Sequence, residues 1–367
     1  KQAAHNIGNT VILFLVVSIA LTAILLSLVY PIVVAMSTPT DAVSGTVTYL
    51  TICFIGIPFI TSYNIISSIF RGLGDSKSPM CFIATACAAN IALDYLFMGV
   101  LHLGPAGAAL GTTLSQAISV VVSFTVILKR RNIVLKKSDF KPCRAVMGKI
   151  LGIGIPIAFQ DGLIQVAFII ITIIANQRGL NDAAAVGIVE KVISFLFLVP
   201  SSMLSTVSAL GAQNIGAGKP ERAIQTLRYA VMLAAGFGVL ASIAIQFTAE
   251  GIVSLFTDPS TADGAAVVRF GGQYLRGYIF DCIFAGIHFS FSGFFCACRK
   301  SGLSFLHNIL AIVLMRVPGV YVTSKLFPAT LLPMGLATAA GSLLSVVICL
   351  IAFGIIRRKS TLVLVEE

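Results

Sequence analysis

The sequence has 367 residues, of which 57% are hydrophobic and 11% charged, with a formal net charge of +11. A soluble domain carries roughly twice that charged fraction, so a water-soluble globular fold is excluded. The basic surplus is dispersed in short segments between long apolar runs, which excludes a nucleic-acid surface and points to membrane topology instead.

Ten apolar runs are each long enough to cross a ~30 Å hydrocarbon core as a helix. In chain order they cover approximately 10–36, 44–70, 79–101, 106–128, 150–175, 183–210, 225–250, 265–295, 303–326 and 333–356. Barrel strands are far shorter, and lipid admits no open sheet edge, so the spacing predicts an all-α, polytopic membrane protein. With residue 1 on the cytoplasmic side, 19 of the 25 basic residues fall in cytoplasmic segments and two, Arg178 and Lys325, in outer loops. The remaining four, Lys191, Arg269, Arg276 and Arg316, fall within helices. This positive-inside bias predicts that both termini are cytoplasmic. Eight scattered cysteines, mostly within apolar runs, argue against a disulfide framework.

The chain repeats itself. Tyr49–Arg131 runs parallel to Tyr274–Arg358, with Ile69-Phe70 answering Phe294-Phe295 and the small-residue segment Gly107–Ser115 answering Gly335–Leu343. Gln2-Ala-Ala-His resembles Glu221-Arg-Ala-Ile, whereas Cys143–Lys219, with two apolar runs, has no counterpart. The expectation is a doubled six-helix unit of which ten of twelve helices are present here, the first two preceding residue 1. An even number of helices per unit predicts two lobes related by a pseudo-twofold axis along the membrane normal. The lobes are expected at 1–131 and 150–358, joined by a basic cytoplasmic linker at 132–149 that lies near anionic headgroups, with a cytoplasmic tail at 359–367. Pro31, Pro58, Pro156, Pro200 and Pro318 fall inside helical runs and predict bends.

Gly216-Ala-Gly-Lys-Pro220 is a false phosphate loop. Gln213 stands where the first Gly is required, Pro220 replaces Ser/Thr, and a membrane helix precedes it. No nucleophile–base or metal constellation supports an enzyme.

Ionisable groups within membrane helices are costly, and so mark candidate sites. Asn90 and Asp94 are four residues apart on one helix face and offer two hard oxygens to a cation. Asp161 and Gln165 form a similar face, beside Gln160. Asp281 and His288, seven apart, share another face, suited to meeting an organic cation or relaying protons. Glu190, Lys191, Arg276 and Arg316 are candidates for structural ion pairs, Glu190 with Lys191 among them. Phe284, Phe289, Phe291, Phe294, Phe295 and Tyr278 crowd one helix, either as an aromatic wall for planar cations or as lipid-facing side chains.

Four segments carry a resemblance. Phe70-Arg-Gly-Leu-Gly-Asp-Ser-Lys-Ser-Pro79 resembles the loop after the fourth helix of multidrug and toxic compound extrusion (MATE) transporters. Ala209-Leu-Gly-Ala-Gln-Asn-Ile-Gly-Ala-Gly-Lys-Pro-Glu-Arg-Ala223 is similar to that family's loop between helices eight and nine. Asn90-Ile-Ala-Leu-Asp94 resembles its fifth-helix signature, and Gly154-Ile-Pro-Ile-Ala158 the start of its seventh helix. The resemblance implies a two-lobed, twelve-helix exporter of a bacterial plasma membrane. Such a protein exchanges small, often cationic, amphipathic compounds for H⁺ or Na⁺, needs no other cofactor, and works as a monomer. It further implies that Asn90 and Asp94 join an acidic residue of the first helix in an amino-lobe cation site. A lipid-linked oligosaccharide flippase of related plan, and a membrane receptor or channel subunit, are the alternatives.

Overall fold

The computed structural model describes residues 2–35, 40–130 and 136–358. Lys1, Arg131 and Lys359, which contribute to the charge bias, lie outside the described residues, as do 132–135 of the linker and the tail 359–367.

Among the described residues ten segments are helical, long and apolar enough to cross a membrane. The first four are α1 (Gln2–Ala35), the pair α2 (Thr40–Ile55) and α3 (Ile57–Gly72), α4 (Lys77–Asp94) with a π-helical turn at Tyr95–Val100, and α5 (Gly104–Arg130). The other six are α6 (Arg144–Asn176), the pair α7 (Leu180–Leu196) and α8 (Leu198–Gly216), α9 (Pro220–Val253), and the pair α10 (Ala262–Tyr278) and α11 (Phe280–Ala297). They end with α12 (Ser301–Ala311), joined through a π-helical turn at Ile312–Arg316 to α13 (Val317–Leu326), and α14 (Leu332–Arg358). The chain divides into two compact units, Lys1–Ile150 and Leu151–Glu367.

The repeat is visible as a matching order of elements. Each unit contains a 34-residue helix (α1, α9), a broken span (α2–α3, α10–α11), a span interrupted by a π turn, and a 27-residue helix (α5, α14). The same partners pack within each unit. In the first, α1 lies against α2 and α3, and α5 against α2, α3 and α4. In the second, α9 lies against α10 and α11, and α14 against α10, α11 and α12. Small residues permit this packing, as expected where lipid supplies no hydrophobic drive. A Cβ on Gly277 of α10 would come 2.6 Å from Leu332 O, and one on Gly335 of α14 would collide with Tyr274 O.

At three prolines the freed carbonyl finds a donor on another helix. Proline has no N–H to donate to the carbonyl four residues earlier, and in a membrane that carbonyl needs another donor. For Pro58 the freed group is Phe54 O, which accepts from Thr22 Oγ1 of α1 at 3.3 Å. For Pro156 it is Gly152 O, which accepts from Ser301 Oγ at 3.1 Å. For Pro200 it is Leu196 O, which accepts from the Cys282 thiol at 3.8 Å. Thus α1, α12 and α11 each cross near the defect that their side chain repairs.

The described part of the linker is folded against protein. Lys137–Phe140 forms one 3₁₀ turn that packs on α1. Gly8 of α1 is there for close approach, since a Cβ at that position would collide with Asp139 O. The Asn9 side chain is buried beside it. Its amide donates to Lys141 O at 3.3 Å, and its oxygen accepts from the Cys143 N–H at 2.7 Å. A hydrogen bond from His5, helped by backbone N–H groups at the start of α6, holds the Cys143 thiol below the usual thiol range.

Arg178, in a predicted outer loop, is a structural clamp. It pairs with Asp182 at 2.6 Å and donates to Ser324 O, Phe327 O, Pro328 O and Thr330 O, which ties the α6–α7 turn to the α13–α14 turn. These carbonyls surround the end of α13, where a helix leaves acceptors without partners.

Candidate functional site

In the first unit Asn90 and Asp94 occupy the last turn of α4 and share one face, as their spacing predicts. Asp94 is the last residue before the π turn. Such a turn inserts one residue, interrupts the regular ladder, and is frequent at functional positions. Both side chains are half-buried, and their buried atoms Asn90 Nδ2 and Asp94 Oδ1 have no hydrogen-bond partner among the described residues. Gly111 of α5 faces Asp94 closely enough that a Cβ would collide with Asp94 Oδ1. The result is a carboxylate oxygen inside a membrane helix with no protein donor, next to an amide oxygen one turn away. Such a pair offers two of the roughly six oxygens a hard cation gathers, leaving the rest to water or further groups.

The second unit treats its intramembrane charge differently. Arg316 ends the other π turn, and Gly341 of α14 faces it, where a Cβ would lie 2.8 Å from Arg316 Cβ. Arg316 forms a salt bridge with Asp281 of α11, and both are buried. Its guanidinium also reaches Ser342 Oγ at 3.4 Å and Thr338 O at 3.5 Å. Asp281 therefore faces an internal cation, and Arg316 is the ion-pair residue that its sequence context predicts. His288, one face along from Asp281, is 4% exposed, stacks near Phe289, and has no partner at Nδ1 among the described residues.

One expectation is corrected. Glu190 forms no ion pair with Lys191 among the described residues. Its carboxylate accepts from Thr172 Oγ1 at 3.3 Å, and Lys191 is exposed, because adjacent helical residues point about 100° apart. Arg276 forms an ion pair, as expected, with Glu250 of α9 at 2.9 Å. Asp161 and Gln165 are exposed on the second unit, and the buried polar residue of that turn is Gln160, which accepts from Ser304 Oγ at 2.7 Å. The aromatic cluster is also internal. Tyr278, Phe291, Phe294 and Phe295 are core side chains, and Phe291 and Phe294 each meet Phe353 of α14 edge-on at 5.6 Å.

Sequence reasoning missed His307. It is fully buried, holds Ser292 Oγ and Ser345 Oγ with its two ring nitrogens, and lies 5.5 Å from His288. Its only sequence signal is a histidine within an apolar run, which by itself does not distinguish a buried network from a tolerated core position.

The family model MatE matches residues 1–96 and 156–322. A probable multidrug resistance protein of Bacillus subtilis (strain 168), YpnP, is 30% identical over 83% of this chain and 66% of its own length. An FAD transporter of Shewanella oneidensis is 27% identical over 74% of this chain and 60% of its own. The chain spans less than two thirds of the length of either relative. A solved MOP superfamily transporter from Pyrococcus furiosus, described by the reverse polarity of its binding pocket, superposes with a TM-score of 0.91. The superposition covers 98% of this chain and 80% of that one at 20% identity, and so speaks for the fold alone. With ten membrane-length helices, two units built on one repeated plan and a family model matching most of its length, this multi-pass chain belongs to the MatE family.

Proposed function

We propose that the chain carries most of a secondary active exporter of a bacterial plasma membrane, with both termini cytoplasmic. It moves small cationic or amphipathic compounds outward in exchange for H⁺ or Na⁺, by alternating access. The observation that carries this reading is Asp94, an acidic residue on a π-interrupted membrane helix whose buried oxygen has no protein partner. An unpartnered carboxylate within a membrane span is costly, which is hard to explain as architecture. Names of relatives that refer to multidrug resistance support the cargo class.

The FAD transporter among the relatives suggests a second cargo, an anionic nucleotide. Against it, the buried Arg316 charge is already met by Asp281. The same neutralisation weighs against a flippase that grips pyrophosphate.

The test is ethidium efflux from cells expressing the full-length protein. Asp94→Asn is expected to cut the initial efflux rate at least tenfold while protein level is unchanged. Efflux by this variant at the wild-type rate overturns the reading. Proteoliposomes with an imposed pH or Na⁺ gradient then identify the ion.

A further inference from the structure

A line of hydrogen-bonding side chains in the second unit is left unused by the site described above. His307 Nε2 is 2.8 Å from Ser292 Oγ, and His307 Nδ1 is 3.2 Å from Ser345 Oγ. Ser345, His288, Asn308, Ser342 and Arg316 line one narrow, partly open cavity of about 50 Å³. That volume suits one or two water molecules, each of which occupies about 30 Å³ in the liquid and needs two to four polar partners. His288 Nδ1 is buried, lines this cavity and has no protein partner. Beyond the cavity, Arg316 leads to Asp281. On its other side, His307 lines a crevice of about 480 Å³ that Lys300 also lines, and Lys300 belongs to a segment read as cytoplasmic.

We propose that these groups form a hydrated proton relay between the Lys300 side of the second unit and the Asp281–Arg316 pair. The route runs through His307, Ser345, cavity water and His288. It rests on the reading of coupled export, with H⁺ as the exchanged ion.

The chemistry is that of imidazole and hydroxyl groups. A neutral imidazole accepts a proton at one nitrogen and releases one from the other, and a serine hydroxyl both donates and accepts. At each step one N–H or O–H bond breaks as the next forms, and the proton ends on His288 or cavity water beside Arg316, whose guanidinium stays protonated throughout. The charged and titratable groups that bear on His288 are His307 from α12 and Arg316, with Asp281, Tyr278 and Tyr274 around Arg316. From α14 the facing groups are Ser342 and Ser345.

The experiment follows proton release by a pH dye when ethidium is added to the full-length protein in weakly buffered detergent solution. His288→Ala and His307→Gln are each expected to slow release at least tenfold with ethidium affinity unchanged, since a relay governs rate and not equilibrium. Added imidazole is expected to restore release in His288→Ala by refilling the space of the lost ring. Ser345→Ala, the mildest change, is expected to slow release severalfold. Wild-type release rates in both histidine variants overturn the relay. Slowed release without imidazole rescue, accompanied by a lowered melting temperature, also overturns it, in favour of a packing role. A wild-type protein that exports ethidium but releases no protons overturns the relay and leaves the export reading standing. Loss of ethidium efflux in the wild type is instead the failure of the export reading.

Discussion

Asp94 and Arg316 sit in similar settings, at non-equivalent positions of the repeat, with opposite outcomes. Each stands at a π turn in the interrupted span of its unit, and each packs against a glycine of the 27-residue helix that follows, Gly111 or Gly341. In the second unit the charge is answered within the protein, by Asp281 and two α14 oxygens. In the first unit the carboxylate oxygen facing Gly111 has no answer among the described residues. Both units thus pair a π turn with a close glycine approach, but only one supplies a partner for the charge beside it. An unsatisfied buried charge is expensive and is retained where an exchangeable ion completes it; a satisfied one holds helices together.

This contrast breaks most directly at Asp281. Asp281→Asn leaves Arg316 buried without its counter-charge and is expected to destabilise the protein by about 3–5 kcal/mol. Thermal unfolding in detergent reads this, and Asp281→Leu combined with Arg316→Met is expected to recover most of the loss. Asp94→Asn, by contrast, is expected to leave the melting temperature nearly unchanged or slightly raised. Equal destabilisation by Asp94→Asn and Asp281→Asn would erase the distinction between the two units.

A smaller effect is expected at the glycines. Gly341→Val and Gly111→Val both overpack a helix crossing, at a cost of about 1–3 kcal/mol. Only Gly111→Val is expected to reduce efflux beyond what its melting temperature explains, because it displaces Asp94 itself. Equal efflux losses at matched stability would place Gly111 with Gly341 as packing alone.

The smallest effect concerns the linker, a contact with no counterpart in the second unit. Asn9→Ala leaves the Cys143 N–H and Lys141 O without their buried partner, at a cost of about 1–2 kcal/mol. The readout is local. The Cys143 thiol is held low by His5, so in the wild type its thiolate, and hence maleimide labelling, is present at a lower pH than for an ordinary cysteine. Loosening the dock raises that thiol pKa and moves the labelling profile to higher pH. An unshifted profile in Asn9→Ala means that the linker is held by other contacts.

Spans, class and family were legible without coordinates, because lipid imposes a length and an apolarity on every crossing helix and loops carry the charge. The Tyr49–Arg131 and Tyr274–Arg358 repeat was legible for the same reason. Small residues that let helices touch recur at matching places. The Asn90–Asp94 face was legible too, since four-residue spacing is a property of one helix.

What crosses from helix to helix was not legible. Asp281 and Arg316 are 35 positions apart, and nothing local distinguishes their union from Glu190 beside Lys191, which does not pair. Gln160 rather than Asp161 faces inward because of how α6 is rotated against α12. The prolines announced bends, but only packing shows that Thr22, Ser301 and Cys282 supply the donors those bends require. His307 joined Ser292, Ser345 and His288 only once α11, α12 and α14 were brought together. Composition and periodicity determined that the chain threads a membrane as paired sets of helices. Tertiary structure alone decided which intramembrane charge is answered by a protein partner and which is not, because that depends on the rotation and separation of helices, which no single segment encodes.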